Sequence, residues 1–346
     1  MSSTLHSFGI GLATLDSQGA VIEVYYPDPR INPSEELSKL LRQLCNPEGD
    51  TNTFTELDAG SIIKLHDGLL ELGESVLANH LTRMESSDRT IIACILNTDT
   101  PPSSIAEVFL KLHLLSHRLA KPLSLNLDGI FAILRNLAWS NQGAIDLNDL
   151  PEQQLQAQIR GEVLDVFSVD KFPKMTSYVV PDGVRIADTA RIRLGAYIGE
   201  GTTVMHEGFV NFNAGTLGTA MIEGRISAGV VVGENSDLGG GCSTMGTLSG
   251  GGSEIISVGK NCLIGANAGI GFSLADGCIV EAGLYVTAGT KVKLLNTRGE
   301  VVQTEKAKNI SDIEKLLFRR NSLTGAVECI PIDGTTNLND ELHTHN

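Results

Sequence analysis

The sequence predicts a mixed fold, in which an α/β N-terminal domain precedes a parallel β-helix and a short C-terminal extension. Branched aliphatic residues recur every six positions through the second half of the chain, a period that fits neither a helix nor a plain strand. The 37 glycines and the low aromatic content of 5% suit a thin-walled solenoid. A chain of 346 residues is also long enough for two domains with real cores.

Each six-residue repeat is expected to supply one short strand and one turn, with its aliphatic side chain pointing inward. About three repeats close one triangular coil, and successive coils stack about 4.8 Å apart. An ordinary β-sandwich is the alternative, but its strands recur roughly every 8–12 residues and alternate with a period of two. The predicted inward positions are Val180, Ile186, Ile192, Ile198, Val204, Val210, Ile226, Val232, Leu238, Val258, Ile264, Ile270, Leu274, Val280, Val286 and Val292.

The repeat loses phase twice, once between Val210 and Ile226 and again between Leu238 and Val258. At both places, extra residues are predicted to leave the coil as loops. Residues 239–253 are rich in glycine, and backbone N–H groups exposed there would suit an oxyanion or a phosphate. A tolerated surface insertion is the simpler interpretation, but loops on a rigid scaffold commonly carry binding sites.

The N-terminal half is predicted to contain strands and helices but carries no recognisable catalytic motif. Gly9 and Gly11 resemble the start of a dinucleotide-binding loop, but the third glycine is missing. His113 and His117 share a helical face, and they are expected to be structural because no further metal ligands accompany them. The predicted strands are residues 8–15, 20–26 and 90–96, and the predicted helices are 35–44 with Asn32 as cap, Ser103 or Ser104 to 119, 127–139 and 149–159.

The C-terminal part is expected to form a hairpin around Arg298, a short helix opening at Ser311 and a last strand over residues 327–331. The end of the chain is polar, so it is predicted to be disordered. The predicted domains are an N-terminal α/β and helical region at 1–164, a β-helix at 165–295, an extension at 296–334 and a tail at 335–346.

Composition limits the classes of partner and the cellular compartment. The net charge of −15 argues against nucleic acid, and against an anionic membrane, as the main partner. There is no CxxC pair among the six cysteines, no signal segment and no apolar run that could span a bilayer, which predicts a protein of the reducing cytoplasm. Cys242 lies in a glycine-rich turn and is expected to be a packed residue rather than a nucleophile, because no histidine lies nearby in the sequence.

Several stretches of the predicted β-helix and extension resemble one enzyme family. Met-Ile-Glu-Gly-Arg-Ile-Ser at 221–227 and Leu-Phe-Arg-Arg-Asn-Ser at 317–322 are examples. The chain from about residue 165 to residue 326 is similar to the 2,3,4,5-tetrahydropyridine-2,6-dicarboxylate N-succinyltransferases of actinobacteria and pseudomonads. This resemblance implies a hexapeptide-repeat acyltransferase with a left-handed β-helix, an exception to the right-handed crossover rule, and a homotrimer. The other stretches are 206–216, 239–243, 265–269 and 281–285.

The resemblance implies transfer of a succinyl group from succinyl-CoA to the amine of ring-opened tetrahydrodipicolinate. The products would be N-succinyl-2-amino-6-oxopimelate and CoA, on the diaminopimelate route to lysine. Glu223 matches the catalytic glutamate of the family, where it would take a proton from the amine or form an acyl-anhydride; the sequence leaves both open. Arg225 lies two residues further on and would hold a carboxylate in bidentate fashion.

The resemblance also implies a binding surface for succinyl-CoA as co-substrate, with no tightly bound cofactor. Ser243 would supply a hydroxyl, and Gly240 would allow close approach of the backbone. Lysine and arginine residues at one end would bind the phosphates, which explains how an acidic chain holds an anionic thioester. The implied binding residues are Arg225, Gly240, Ser243, Ala266, Glu281, Ala282, Gly289, Lys306, Arg319, Arg320, Asn321 and Ser322.

One departure from the family pattern concerns metal. Actinobacterial members have an acidic pair that is associated with Mg²⁺ near the trimer axis; Glu207 matches one partner, but Ala190 stands at the other position. The expectation is therefore no ion, or a weakly bound Mg²⁺ held by Glu207 from three subunits.

Three other functions are alternatives to this assignment. An acyltransferase that uses acetyl-CoA or a different amine would share the solenoid, so only the acyl-end pocket discriminates. A γ-class carbonic anhydrase needs three zinc-binding histidines, whereas His206 is the only histidine in the repeat. A non-catalytic solenoid predicts regular coils without loops.

Overall fold

A computed structural model of the chain describes residues 4–46, 49, 51–246 and 255–332. Within these ranges, no helix has the length and apolar character needed to cross a membrane. The chain divides into two compact units. The first comprises the chain up to Ala120, Ser124–Pro173 and Ser177–Val179, and the second comprises Lys121–Leu123, Lys174–Thr176 and the chain from Val180 onward.

The first unit is an α/β structure, as predicted. Four of its strands pair as an antiparallel sheet in the order β2-β1-β5-β4, and β6 pairs with β7 and β8 in a second sheet. The strands are β1 (Ser7–Leu15), β2 (Val21–Tyr25), β3 (Arg30–Ile31), β4 (Thr53–Glu56), β5 (Thr90–Leu96), β6 (Leu137–Ser140), β7 (Gly143–Asp146) and β8 (Val166–Asp170). The helices are α1 (Glu35–Cys45), α2 (Ala59–Glu71), α3 (Ser75–Met84), α4 (Ile105–Ser116), α5 (Ile130–Ile133) and α6 (Leu150–Ile159).

Alternate residues of β1 face two different layers. Phe8 and Ile10 pack into the apolar core formed with α1, α2 and α3. Gly9 lies between them on the opposite face, where an added Cβ would come within 2.6 Å of the Tyr26 ring and 2.9 Å of Leu110 in α4. Glycine therefore lets α4 approach the sheet closely, and its presence in β1 has nothing to do with a dinucleotide loop.

In the first unit, the start of one predicted helix and the end of another differ from the structure. The side chain of Ser34, not that of Asn32, caps α1 by accepting a hydrogen bond from the Leu37 N–H at 3.2 Å. Helix α4 is capped by Ser104 but ends at Ser116, short of residue 119, because Arg118 adopts a left-handed backbone conformation with φ of 61°.

The helix predicted over residues 127–139 is wrong apart from the short α5. Residues of β6 form a strand instead, and its Trp139 Nε1 donates to the Asp170 carbonyl oxygen of β8 at 2.9 Å. Tertiary pairing with β7 and β8 overrides the local helical pattern. Because β8 belongs to this sheet, the first unit continues to Pro173, beyond the boundary predicted at residue 164.

The second unit is a parallel β-helix with hexapeptide repeats. Its strands form three parallel walls: wall 1 contains β9, β11, β14, β17, β20 and β22, wall 2 contains β12, β15, β18, β21 and β23, and wall 3 contains β10, β13, β16 and β19. The strands are β9 (Arg185–Ile186), β10 (Tyr197–Ile198), β11 (Thr202–Val204), β12 (Phe209–Val210), β13 (Gly215–Thr216), β14 (Ala220–Ile222), β15 (Arg225–Ile226), β16 (Val231–Val232), β17 (Ser236–Leu238), β18 (Ser243–Thr244), β19 (Ser257–Val258), β20 (Leu263–Ile264), β21 (Gly269–Gly271), β22 (Ile279–Val280), β23 (Tyr285–Thr287) and β24 (Lys291–Leu295).

The predicted inward positions from Ile192 to Val292 are all buried, which confirms the six-residue ladder. At the open end of the helix the prediction is wrong for Val180, which is 62% exposed, and Ile186 is only half-buried. Ile186 belongs to β9, the edge strand of wall 1, so within the described residues no further strand of this wall stacks on its outer side.

The first loss of phase is a shortened corner, not the loop that the sequence predicted. Thr216 and Ile222 fill the two missing inward positions, and both are fully buried. The next inward residue, Ile226, follows Ile222 after four positions instead of six. The coil is correspondingly shorter: Ala220 pairs with Ser236, sixteen residues on, whereas Thr202 pairs with Ala220, eighteen residues on.

The second loss of phase contains a true insertion, but it begins later than predicted. Residues 239–242 form a regular corner, and Ser243 of β18 pairs with Arg225 below and Gly269 above. The extra residues therefore follow Thr244. Residues 247–253 of the predicted glycine-rich loop lie outside the described part of the chain.

The C-terminal extension adds three strands, β25 (Val301–Lys306), β26 (Leu316–Arg320) and β27 (Val327–Pro331). Strands β24 and β25 form the predicted hairpin, and β26 pairs in parallel with β22 and so extends wall 1. The helix predicted to open at Ser311 is wrong, because a 3₁₀ helix, Ala307–Ile310, ends there instead. The tail predicted at 335–346 lies outside the described residues.

His113 in α4 is buried and uses both ring nitrogens. Its Nδ1 lies 2.7 Å from the Phe109 carbonyl oxygen, to which it must donate, and its Nε2 accepts from the Tyr26 N–H at 3.3 Å. The ring also stacks on His117, with centroids 6.1 Å apart. These contacts are structural, as the sequence predicted for both histidines.

We expect the free energy of unfolding to decrease as the pH falls below 6.5. Burial lowers the pKa of His113 to about 3, so the folded protein keeps the ring neutral, whereas the unfolded chain binds a proton near the ordinary value of 6.5. This contribution to stability is complete above pH 6.5 and is lost progressively toward pH 3. Nitrogen NMR of the folded protein provides the check, since a His113 ring that titrates near pH 6.5 would contradict the expectation.

Candidate active site

Glu223 occupies the shortened corner between walls 1 and 2. It is followed only by Gly224 before β15 begins, whereas four residues, 239–242 or 265–268, make the same turn on the next coils. The Glu223 N–H donates to the Leu238 carbonyl oxygen at 2.8 Å, which fixes the corner to the coil above. The residue is half-buried, and no group in the described ranges donates a hydrogen bond to its carboxylate. The carboxylate oxygens are therefore available to accept a proton from a bound molecule.

Gly224 makes this short corner sterically possible. A Cβ at this position would lie 2.3 Å from Cys242 Sγ and 2.7 Å from the Cys242 carbonyl oxygen. The backbone of one coil thus packs directly on the next, with no room for a side chain. The Glu-Gly pair at 223–224 is required by the geometry of the corner as well as by any chemistry.

Five of the predicted site residues, Glu223, Gly240, Ala266, Glu281 and Ala282, lie in one column of corners, which we call the corner column: 223–224, 239–242, 265–268 and 281–284. The first residue of each corner donates a hydrogen bond of 2.8 or 2.9 Å to the next coil, from Glu223 to Leu238, from Gly239 to Ile264, from Gly265 to Val280 and from Glu281 to Phe318. Residues that are far apart in sequence become neighbours about 4.8 Å apart because they occupy the same place in successive coils.

Four backbone N–H groups in the corner column, one at each corner, have no acceptor within the described chain, and the first of them is that of Gly224. Within the described chain, the N–H groups of Gly240, Ala266 and Ala282 make no hydrogen bond, although the carbonyl oxygens of Gly240 and Ala266 accept from the coil above at 2.9 and 2.8 Å. Glu223 Oε2 lies 3.4 Å from the position that a Cβ would take on Gly240. A row of free donors therefore begins beside the carboxylate and continues along the solenoid, where it can bind successive carbonyl oxygens of an extended ligand.

A charged and hydroxyl-bearing surface adjoins this column on wall 2. Arg225 and Ser243 are neighbours in register, and the Arg225 guanidinium donates to Ser243 Oγ from Nη2 at 2.7 Å and from Nε at 3.2 Å. Because Ser243 holds one edge of the guanidinium, the remaining N–H groups have a fixed direction. They are suited to a carboxylate bound close to Glu223.

Arg225 and Ser243 line a cleft of about 720 Å³ that contains several residues the sequence did not identify. One of them, Arg191, donates to the carbonyl oxygens of Glu207 and Gly208 at 2.9 and 3.0 Å. Its place in a 3₁₀ turn, outside the repeat pattern, left no signal in the sequence. The cleft is lined by Asp188, Arg191, His206, Glu207, Phe209, Gly224, Arg225, Gly241, Cys242 and Ser243.

The predicted cationic end is divided between two places. Lys306 lies opposite Lys291 in the β24–β25 hairpin, and the backbone of Gly289 is exposed in the turn before this hairpin. The two lysines give this end of the corner column two positive charges in adjacent strands, and both side chains are exposed.

The residues of β26 and of the turn after it make hydrogen bonds and an ion pair that the sequence did not predict. Arg319 pairs with Glu328 at 3.2 Å, and Asn321 Nδ2 donates to the same carboxylate at 2.7 Å. The Arg320 N–H donates to Glu281 Oε2 at 2.7 Å. Ser322 follows in an exposed turn. Arg319 and Arg320 are therefore strand residues beside the corner column, rather than residues at the end of a helix, and Glu281 holds the strand in place.

Comparison with known proteins identifies the family. A 2,3,4,5-tetrahydropyridine-2,6-dicarboxylate N-succinyltransferase of Pseudomonas putida is 56% identical over 348 residues and covers 100% of both chains. The protein of the same name from Vibrio cholerae is 50% identical and covers 98% of this chain and 99% of its own. The chain belongs to the tetrahydrodipicolinate N-succinyltransferase family.

Family models and a solved structure agree with this membership. Models of the N-terminal and middle parts of tetrahydrodipicolinate N-succinyltransferase match residues 67–132 and 134–174, and a model of the hexapeptide repeat of succinyl-transferase matches residues 255–288. A crystal structure from Campylobacter jejuni, described as a 2,3,4,5-tetrahydropyridine-2-carboxylate N-succinyltransferase, covers 94% of this chain and 92% of its own with a TM-score of 0.86 and 30% identity. The predicted resemblance is confirmed, and it includes the N-terminal half.

The magnesium site suggested by the resemblance to tetrahydrodipicolinate N-succinyltransferases is not formed by one chain. Glu207 and Asp188 line the cleft, but the positively charged Arg191 lines it as well. The side chain of Ala190 supplies no ligand atom. No three His, Cys, Asp or Glu side chains in the described ranges are grouped as a metal site needs. The residues of a single chain therefore do not fit this ion, and no step of the chemistry is assigned to it.

Replacement of Cys242 by alanine is expected to leave succinyl transfer largely intact, although this thiol packs against the corner that contains Glu223. Burial, and then the negative charge of Glu223, raise the pKa of Cys242 to about 12, so the thiol stays protonated and unreactive at neutral pH. The rate of thioester cleavage in the Cys242→Ala variant, and after iodoacetamide treatment of the unmodified enzyme, measures this. Loss of activity in both would make Cys242 a participant.

Proposed function

We propose that the chain transfers a succinyl group from succinyl-CoA to the amine of ring-opened tetrahydrodipicolinate, which yields N-succinyl-2-amino-6-oxopimelate and CoA in lysine and diaminopimelate biosynthesis. The observation that carries this proposal is the position of Glu223 at the start of a row of unpaired backbone donors. The names of the relatives, which match along nearly the whole chain, support the same acyl group and acceptor.

The acceptor amine must lose a proton before it can attack a thioester. In the proposed mechanism the amine nitrogen attacks the thioester carbonyl carbon, and Glu223 takes the proton that the nitrogen releases. The carbonyl oxygen becomes negatively charged in the tetrahedral intermediate, and a free N–H such as that of Gly240 stabilises it. Collapse of the intermediate breaks the carbon–sulfur bond, and the CoA thiolate leaves and is protonated.

The donor is proposed to extend from Glu223 along the corner column. The N–H groups of Ala266 and Ala282 bind the amide carbonyl oxygens of its arm, and Lys291 and Lys306 attract its phosphates. The succinyl carboxylate is proposed to bind Arg225, because an acetyl group offers nothing to this guanidinium. The acetyl-CoA-dependent alternative is disfavoured for the same reason.

We also propose a homotrimer in the cytoplasm, with sites between neighbouring solenoids. Arg225 is exposed beside Glu223 and Tyr285 is exposed further along the same wall, and a second chain would exclude water from the reacting amine. The six cysteines are unpaired and buried, which suits a reducing compartment. Sedimentation equilibrium tests the assembly: a mass of three chains supports it, and a monomer at micromolar concentration contradicts it.

Thiol release from succinyl-CoA, with and without the acceptor and in parallel with acetyl-CoA, tests the reaction. We expect continuous release of thiol only when succinyl-CoA and tetrahydrodipicolinate are both present. Release of one equivalent of thiol from succinyl-CoA alone would indicate that Glu223 forms an acyl-anhydride, in place of direct attack by the amine. No release with either thioester would overturn the proposed function.

A further inference from the structure

The outer face of β21 carries no side chains next to the corner column. The positions that side chains would take on Gly269 and Gly271 both face outward, on either side of the fully buried Ile270. Glycine weakens a strand unless another group approaches closely, so a glycine at each outward position indicates that something lies on this face.

Two side chains from the neighbouring coils cover this face. An added Cβ on Gly269 would lie 2.2 Å from Cε2, 2.4 Å from Cδ2 and 2.6 Å from Cζ of Tyr285, so the tyrosine ring lies across the glycine. An added Cβ on Gly271 would lie 2.6 Å from Met245 Sδ. Tyr285 comes from the coil above and Met245 from the coil below, and together they form an apolar layer, which we call the Tyr285–Met245 bed.

The bed adjoins the groups already assigned to the donor. Ser243, Gly269 and Tyr285 are successive neighbours in register across wall 2, so the ring extends from β23 toward Ser243 and its partner Arg225. The same three coils supply the unpaired N–H groups of the corner column. Tyr285 nevertheless remains 46% exposed, which leaves a large apolar ring facing solvent beside the site.

We propose that the Tyr285–Met245 bed binds the methylene segments of the arm of the acyl thioester while the corner N–H groups bind its amide oxygens. A flexible arm of alternating amides and methylenes needs both kinds of contact, and the two surfaces run side by side at the coil spacing. The ring provides a flat apolar surface, and the thioether of Met245 adapts to it. This inference rests on the proposed succinyl-CoA donor.

Steady-state kinetics of Tyr285→Ala, Tyr285→Phe and Met245→Ala test the proposal, with Leu217→Ala as the control. Leu217 is 44% exposed at a different corner of the solenoid, so its loss removes an apolar side chain without touching the bed. Tyr285→Ala is expected to raise KM for succinyl-CoA about tenfold, with kcat and KM for the acceptor unchanged. Met245→Ala should act in the same direction, Tyr285→Phe should raise KM less than Tyr285→Ala because it keeps the ring, and Leu217→Ala should match the unmodified enzyme.

Calorimetric binding of CoA separates this proposal from the proposed reaction. If the unmodified enzyme bound CoA but showed no turnover, only the proposed reaction would be contradicted. If the Tyr285→Ala variant bound CoA as tightly as the unmodified enzyme, the proposed role of the Tyr285–Met245 bed would be overturned. Gly269→Ala gives a second route if Tyr285→Ala does not fold, because the added methyl group displaces the ring. Weaker CoA binding by Gly269→Ala supports the bed, and unchanged binding contradicts it.

Discussion

Replacing Glu223 by glutamine is expected to lower kcat for succinyl transfer by roughly 10²- to 10⁴-fold. Glutamine preserves the size of the side chain but cannot take a proton from the amine. The corner itself is held by backbone contacts, the hydrogen bond from the Glu223 N–H to Leu238 and the packing of Gly224 on Cys242, so the fold should be unaffected. Thiol release at saturating donor and acceptor measures the loss, and thermal unfolding checks that the variant is folded.

Glu234→Gln is the matched control for this substitution. Glu234 is an exposed glutamate at another corner of the same solenoid, between walls 3 and 1, and it takes no part in the corner column. Its replacement should leave kcat unchanged. A Glu223→Gln enzyme with the kcat of the unmodified protein would remove this residue from the chemistry.

Replacing Arg225 by methionine is expected to reduce the preference for succinyl-CoA over acetyl-CoA. A hydrogen bond to a charged group contributes about 1.5–3 kcal/mol, so the ratio of the two kcat/KM values should fall by about 10- to 150-fold. Methionine keeps an unbranched apolar stem in place of that of arginine, and the guanidinium bonds only Ser243 among the described groups, so little stability should be lost.

The decisive quantity is the ratio of the two donors, measured in one enzyme preparation. Arg225→Lys retains the charge without the planar fork, so it should fall between the methionine variant and the unmodified enzyme. If all three enzymes showed the same ratio, the succinyl carboxylate would be bound elsewhere, and Arg225 would serve only to orient Ser243.

The six-residue ladder predicted the β-helix correctly because each inward position must be apolar and small enough to fill a coil. It failed at Thr216, whose hydroxyl is buried inside the solenoid and paired with that of Thr202 at 2.7 Å. A polar residue at an inward position broke the aliphatic pattern and concealed the short corner, so the sequence suggested a loop where residues are missing. The strand at β6 was mistaken for a helix because its pairing with β8 depends on residues far along the chain.

The site residues of the corner column, Glu223, Gly240, Ala266 and Ala282, could be predicted from the resemblance to the family. The last three hold equivalent positions in successive coils. Features that depend on contacts between coils left no such signal. Nothing in the sequence says that the Tyr285 ring lies over a glycine one coil away.

A crystal structure with CoA and an acceptor analogue tests the central claim most directly. The account predicts that the thiol end of CoA lies beside Glu223, that its arm follows the N–H groups of Gly240, Ala266 and Ala282, and that its phosphates lie near Lys306. CoA bound at another corner of the solenoid, with Glu223 distant from the thiol, would contradict the assignment of the corner column as the active site.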